Sequence, residues 1–228
     1  MEHAGSTERT RLRRLPEKAA LDRAVVHRIL DAGRVAHVAV VGDRSGRRPT
    51  DPGLDDPAQP YVVPVAYARD GDRVLFHGST GSRLFRALAG GLPTCLTVTL
   101  LDGLVLARSA FESSMNYRSV MVLGRCTPLP AADKLAALEA VSEHLMPGRW
   151  AEVRPPTAKE LAATLVLALP LDECSAKVST GGPTDDPADL DRPIWAGVVP
   201  VRTVLEPPVA AADLQVPAPV PGYVEDWE

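Results

Sequence analysis

Strand-length runs joined by tight turns, with helical patterns set between them but not strictly alternating, predict an α+β fold. Its centre is a mainly antiparallel barrel rather than a doubly wound parallel sheet. Three observations carry this. Asp70-Gly71 lies between the β-rich runs 61–68 and 73–77, and a pair that favours positive φ joins such runs as an antiparallel hairpin. Asp102-Gly103 stands in the same way between 94–101 and 104–111. Residues 117–126 then alternate well enough to add a further strand, so five strands follow one another with one short helix among them.

The remaining elements follow in chain order. Pro16 stands where a first-turn proline would, Leu21, Val25 and Ile29 share one helical face, and Gly33 supplies the stop. Residues 34–41 read as a strand, and 42–60, dense in Pro, Gly and Asp, as a long surface loop that either covers a cleft or decorates a rim. A helix over 82–89 buries Leu84, Phe85 and Leu88 and ends at Gly90-Gly91. Pro128 and Pro130 precede a helix over 131–145, packed through Leu135, Leu138 and Val141. Pro155-Pro156, with Thr157 three residues before Glu160, opens another, because that spacing lets side chain and backbone cap each other. Residues 165–169 and 175–180 read as strands, 181–193 as an acidic, Pro-rich loop, and 194–200 as the last strand. One domain is therefore expected over 16–206, between a flexible N-terminus (1–15) and a proline-rich tail (207–228) that runs over the surface or over a partner subunit.

Composition narrows the function classes. A chain of 228 residues with net charge −4 and pI near 5.8 has no global pull toward nucleic acid, and the arginines at 9, 11, 13 and 14 read as a solvated, frayed terminus. No apolar stretch approaches the roughly 20 residues that span a bilayer, and no apolar region follows the charged start, which suggests a cytoplasmic protein. Cys95, Cys126 and Cys174 are widely spaced and odd in number, so reduced, buried thiols are expected. None of the five histidines has a partner at metal-ligand spacing, and His37 and His144 read as structural. Gly78-Ser79-Thr80-Gly81 lacks the flanking residue of a nucleophile elbow, which argues against hydrolase chemistry.

The most telling stretch is Val74 to Arg86, where an apolar strand gives way to a hydroxyl- and glycine-rich turn and then an amphipathic helix. Gly78 and Gly81 would let backbone come close to a phosphate, Ser79, Thr80 and Ser82 offer hydroxyls, and Arg83 adds a planar cationic fork at a helix start. A plain strand-to-helix connection with a serine cap fits the same residues. His77, where the strand ends, suits a phosphate donor better than a general base, with a structural histidine as the alternative.

Taken in order, Pro64-Val-Ala-Tyr67, Asp70-Gly71, Phe76-His-Gly-Ser79 with Gly81-Ser-Arg83, Arg108-Ser-Ala-Phe111, Asn116-Tyr-Arg-Ser119 and Gly124 resemble the FMN-binding split-barrel proteins. More narrowly, the chain is similar to the branch related to pyridoxamine 5'-phosphate oxidase that includes nitroimidazole-reductase-like proteins, over about residues 15 to 200. The resemblance implies a split β-barrel with peripheral helices, a homodimer, and FMN in the cleft between subunits. By position, Val63, Pro64, Val65 and Tyr67 would offer backbone groups to the pyrimidine edge of the flavin, and His77, Ser79, Ser82 and Arg83 would hold its phosphate. Tyr117, Arg118 and Ser119 would line the cleft from a neighbouring strand, and Trp195 would approach from the C-terminal strand, across the dimer or within it. Arg108, Arg118 or Lys177 would supply positive charge near N1, with rim charge or plain solvation as the other reading of each. Where many members of the branch carry histidine after Ala-Phe, this chain has Glu112, so substrate preference does not transfer. The implied function is an FMN-dependent oxidoreductase acting on a small organic substrate. The alternatives are a flavin carrier or sensor without turnover, and a barrel that holds a deazaflavin or haem.

Overall fold

The computed structural model describes residues 7–11, 13, 16–20, 22–42, 59–216 and 218–227. The predicted loop at 42–60 therefore lies outside the described residues except at its ends, which sit in strands. Among the described residues ten strands form one sheet: β1 (Ala19–Ala20), β2 (Val35–Gly42), β3 (Gln59–Asp70), β4 (Arg73–Ser79), β5 (Pro93–Leu106), β6 (Ser114–Arg125), β7 (Thr127–Pro128), β8 (Thr164–Pro170), β9 (Cys174–Ser179) and β10 (Gly197–Pro200). Their order is β1-β9-β6-β5-β2-β3-β4-β8-β7, with β10 beside β5, and every pairing is antiparallel, as predicted.

The sheet curls around one core. Val38, Val40, Tyr67, Phe76, Leu96, Val98, Val120, Val122, Leu167 and Leu169 point inward, and α1 (Arg23–Ala32) and α2 (Arg83–Ala89) add Val26, Ile29, Leu30, Leu84, Phe85 and Leu88. A smaller cluster lies outside the curl, where α3 (Lys134–Leu145) covers Ala68, Leu75, Val166 and Ala168 with Ala137 and Val141. Small residues on that helix face let it sit close to the strands. Leu135, predicted to pack, is exposed.

Local signals formed as read. The β3–β4 hairpin turns at Gly71 with φ 56°, a conformation that costs glycine nothing. The Ser82 side chain caps α2, and the reciprocal Thr157–Glu160 capping box opens α4 (Ala158–Ala162).

Other expectations are corrected. Pro16 opens only a three-residue 3₁₀ turn, and α1 starts later, where the Asp22 carboxylate accepts from the Ala24 N–H at 2.9 Å. Asp102-Gly103 is not a turn. It lies within the single long strand β5, where the register on β6 shifts between Leu101 and Gly103 and leaves Asp102 as the extra residue of a bulge. Distant partners override the local signal: β10 pairs along the other edge of β5, Gly103 opposite Pro200, and Arg118 holds the Asp102 carboxylate with two bonds of 2.7 and 2.8 Å. The true connection to β6 is the turn at 107–113, tied by the Ser109 and Ser113 hydroxyls, and Phe111 stands in it 87% exposed.

The chain ends also carry contacts that were not foreseen. Arg9, read as part of a solvated terminus, grips Glu173 through Nε and one terminal guanidinium nitrogen and holds that carboxyl well below its usual range. The tail contains α5 (Gly222–Glu225), docked by Tyr223 on Glu152 at 2.5 Å and by Trp227 on the Pro147 carbonyl at 3.0 Å. Cys126 and Cys174 are buried and Cys95 half-buried, none of them in a disulfide among the described residues, and burial pushes the Cys126 thiol up to about 12. Among the described residues no helix is long and apolar enough to cross a membrane.

Candidate functional site

β3 and β4 pair only from Tyr67–Asp70 to Arg73–Phe76. Beyond Tyr67 the two part: the earlier residues of β3 continue against β2, while His77, Gly78 and Ser79 continue against β8. Among the described residues the edge of β3 that faced β4 thus runs unpaired past Val65, Pro64 and Val63, with the end of β4 leading away from it. Unpaired strand edges must satisfy their N–H and C=O groups, and an alternating donor–acceptor row suits a planar heterocycle with the same alternation.

The turn after β4 follows at the end of the strand that has left β3. Ser79 Oγ accepts from the Gly81 N–H at 3.1 Å, and Ser82 Oγ accepts from the Phe85 N–H at 3.5 Å. Both hydroxyls are used as acceptors, so each keeps a proton to donate outward. The exposed Arg83 follows directly. Gly78 has a different role from the one expected. A Cβ there would lie 2.3 to 2.6 Å from the Phe85 ring, so this glycine admits that ring to the core and does not bring backbone to a phosphate. His77 shares the outer face of β4 with Ser79, and desolvation by its neighbours lowers the imidazole below its ordinary value.

Strand parity sorts the other candidates. Val63 and Val65 pack against the core, and Tyr67 is fully buried, its hydroxyl donating to the Leu30 carbonyl at 2.5 Å. Burial raises that phenol's pKa, so Tyr67 offers the opening only backbone. Pro64 faces outward, opposite His37. His37, read as structural, is in fact exposed there.

Tyr117, Ser119 and Lys177 stand together on β6 and β9, with Lys177 Nζ 5.7 Å from the centre of the Tyr117 ring. β6 is not a neighbour of β3 or β4, as the resemblance suggested. β5 and β2 intervene between β6 and β3 in the strand order.

Two of the proposed cations are already neutralised. Arg118 is held by Asp102, and Arg108 bonds Asp185 at 2.7 Å while its Nε stays buried without a partner among the described residues. Asp102 was read only as half of a turn pair and Asp185 was not singled out, and no local pattern marks either as an arginine partner: Asp185 lies 77 residues from the arginine it binds. Trp195 precedes β10 instead of lying in it, is 65% exposed, and packs its ring over Gly197. Glu112 is half-buried in the 107–113 turn. A separate apolar cavity of about 340 Å³, lined by Ala39, Val41, Pro60, Cys95, Leu123 and Arg9 among others, contains none of the predicted site residues.

Comparison with known proteins gives the context. The chain is 40% identical to the flavocytochrome Anf3 from Azotobacter vinelandii, over 99% of each chain with a TM-score of 0.85. It is also 40% identical to an FAD and haem binding protein from Mycobacterium smegmatis, over 92% of this chain and 96% of that one, with a TM-score of 0.82. A protein described as a 5-nitroimidazole antibiotic resistance protein, from Bacteroides thetaiotaomicron, shares the fold at 19% identity and a TM-score of 0.54, over 70% of this chain and 86% of that one. No curated protein matches. The family model of pyridoxamine 5'-phosphate oxidase matches residues 22–178, the span that holds the opening between β3 and β4 and its turn, and the chain belongs to that family.

Proposed function

We propose that the chain binds a flavin at the opening between β3 and β4 and works as a redox protein. The observation that carries this reading is the parting of the two strands after Tyr67, which leaves an unpaired backbone edge facing a turn of hydroxyls and a guanidinium. The edge of β3 at Val63 to Val65 would meet the pyrimidine side of the ring, and Ser79, Ser82 and Arg83 would hold the phosphate. A bound flavin supplies the electron or hydride transfer, and the protein's part is to hold and tune it.

The flavin is FMN by the family resemblance, while the similarity to an FAD and haem binding protein over nearly the whole chain favours FAD. The working unit is a homodimer. Tyr117, Ser119 and Lys177 are separated from β3 by β5 and β2 in the strand order, and a second copy laid against the sheet would bring such residues to the opening. Lys177 is then the preferred charge near N1, because Arg108 and Arg118 are each spent on an aspartate.

A second group is part of the same reading. Two 40%-identical structures are of a flavocytochrome and of an FAD and haem binding protein, and this chain has exposed imidazoles at His37 and His77, which fit the donor chemistry of haem iron.

The test is to purify the protein, record its visible spectrum, and identify by mass spectrometry what mild denaturation releases. A flavin, FAD or FMN, is expected. A colourless protein that takes up neither would overturn the proposal. Reduction of the bound flavin by NAD(P)H and reoxidation by a quinone or nitroaromatic separates an oxidoreductase from a carrier or sensor.

A further inference from the structure

We propose that the β-bulge at Asp102 extends the outer face of the sheet into an apolar seat for a second copy of this chain, with Leu104, Met115 and Val199 at its centre. The inference rests on the homodimer reading above and names the contact surface and the device that builds it. Along a regular strand, residues three apart point to opposite faces. Leu101 and Leu104 do not: both are exposed, and Gly103 is buried between them. The extra residue Asp102 resets the alternation, because β6 keeps its own register opposite, with Tyr117 facing Leu101 and Met115 facing Leu104. The inward positions of the same two strands agree, since Val105 and Asn116 are buried. Without the bulge Leu104 and Leu106 would turn to the inner side.

β10 adds the third strand. Val199 pairs with Leu104 and Leu104 with Met115, so three large apolar side chains stand in one row across β10, β5 and β6. With Leu101 they are 42–46% exposed. In the next row the exposed Trp195 ring lies over Gly197, opposite the exposed Leu106. An apolar patch held in register on three strands is built for a partner surface. The bulge itself is fastened from two sides: Arg118 donates twice to the Asp102 carboxylate, and the Val201 N–H, just past β10, donates to the Asp102 carbonyl at 3.0 Å. The occupant follows from what shares the face. Tyr117 faces Leu101 and lies two residues along β6 from Met115, so a copy that brings Tyr117 to its neighbour's opening must come down on this patch. Every residue from 202 to 216 is exposed, Val204, Leu205 and Val209 among them, and this segment adds apolar surface that starts at the edge of the seat. Two-fold symmetry lets the same patch serve on both copies.

The experiment measures the dimer dissociation constant of the protein as purified by sedimentation, native against Leu104→Lys and Met115→Lys. Each variant should raise the constant at least tenfold with an unchanged far-ultraviolet circular dichroism spectrum. Asp102→Ala, which loosens the bulge and removes no apolar group, should raise it severalfold. Leu135→Lys, similarly exposed but on α3, should sediment as native. Hydrogen exchange of the native protein above and below its dissociation constant reads the same surface without a variant: residues 101–106, 114–117 and 197–201 should gain protection in the dimer, and α3 should not. A native dimer left unmoved by Leu104→Lys and Met115→Lys, equal weakening by Leu135→Lys, or no gain of protection in those segments would each overturn the seat and leave the homodimer reading standing. An unmoved constant in Asp102→Ala would overturn the role of the bulge. A native protein that stays monomeric at every concentration would instead contradict the homodimer reading, so the two failures are distinct.

Discussion

The outward face of the sheet falls into two regions that are treated in opposite ways. Over β3, β4 and β8, α3 lies on the strands and turns Ala68, Leu75, Val166 and Ala168 into a second buried cluster. Over β2, β5, β6 and the start of β3 no helix among the described residues covers the strands, and Val35 at 48%, Val62 at 59% and Leu101 at 42% are exposed there. Large apolar side chains on bare strands suit a partner surface, which is where the proposed second copy would lie. The boundary between the regions runs through the parting of β3 and β4, so the candidate site lies where a covered surface meets one that needs covering.

This contrast can be broken in the covered region first. Leu75→Ala removes a side chain buried between β4 and α3 and should destabilise the fold by about 2–5 kcal/mol, read by denaturant unfolding. On the inner face, Gly78→Ala forces a methyl into the Phe85 ring and should cost about 1–3 kcal/mol by the same measurement, with the flavin phosphate site otherwise intact. In the bare region Val62→Lys should change the folding of a single chain by less than about 0.5 kcal/mol, since the side chain is already exposed. Sedimentation should nevertheless show the dimer dissociating at concentrations where the native protein stays paired. A native protein that sediments as a monomer would mean that the bare face has another use.

Features set by neighbours in sequence were legible. Gly71, the Ser82 cap and the Thr157–Glu160 box each need only a few adjacent residues to act, and the antiparallel class followed from counting such units. Asp102-Gly103 misled because the partners that straighten it, β10 and Arg118, lie up to about a hundred residues away. Alternation along β3 was visible. That it sends Tyr67 to the core and Pro64 outward became certain only once β2 and α1 supplied the two sides. Val63 to Tyr67 lie on the β3 side of the parting, and His77 to Arg83 on the β4 side and in its turn. The distance of Tyr117, Ser119 and Lys177 from it depends on strand order, which pairwise turn signals do not encode.

The central claim is that the turn after β4 holds the anionic end of a flavin that enters between β3 and β4. Titration of apo-protein with FMN and FAD, native against Arg83→Ala, tests it most directly. Loss of one charge-assisted pair should lower affinity by about 1.5–3 kcal/mol, roughly tenfold to a hundredfold, with the melting temperature of the apo-protein unchanged. Equal affinity in the two proteins would place the phosphate elsewhere and contradict the account.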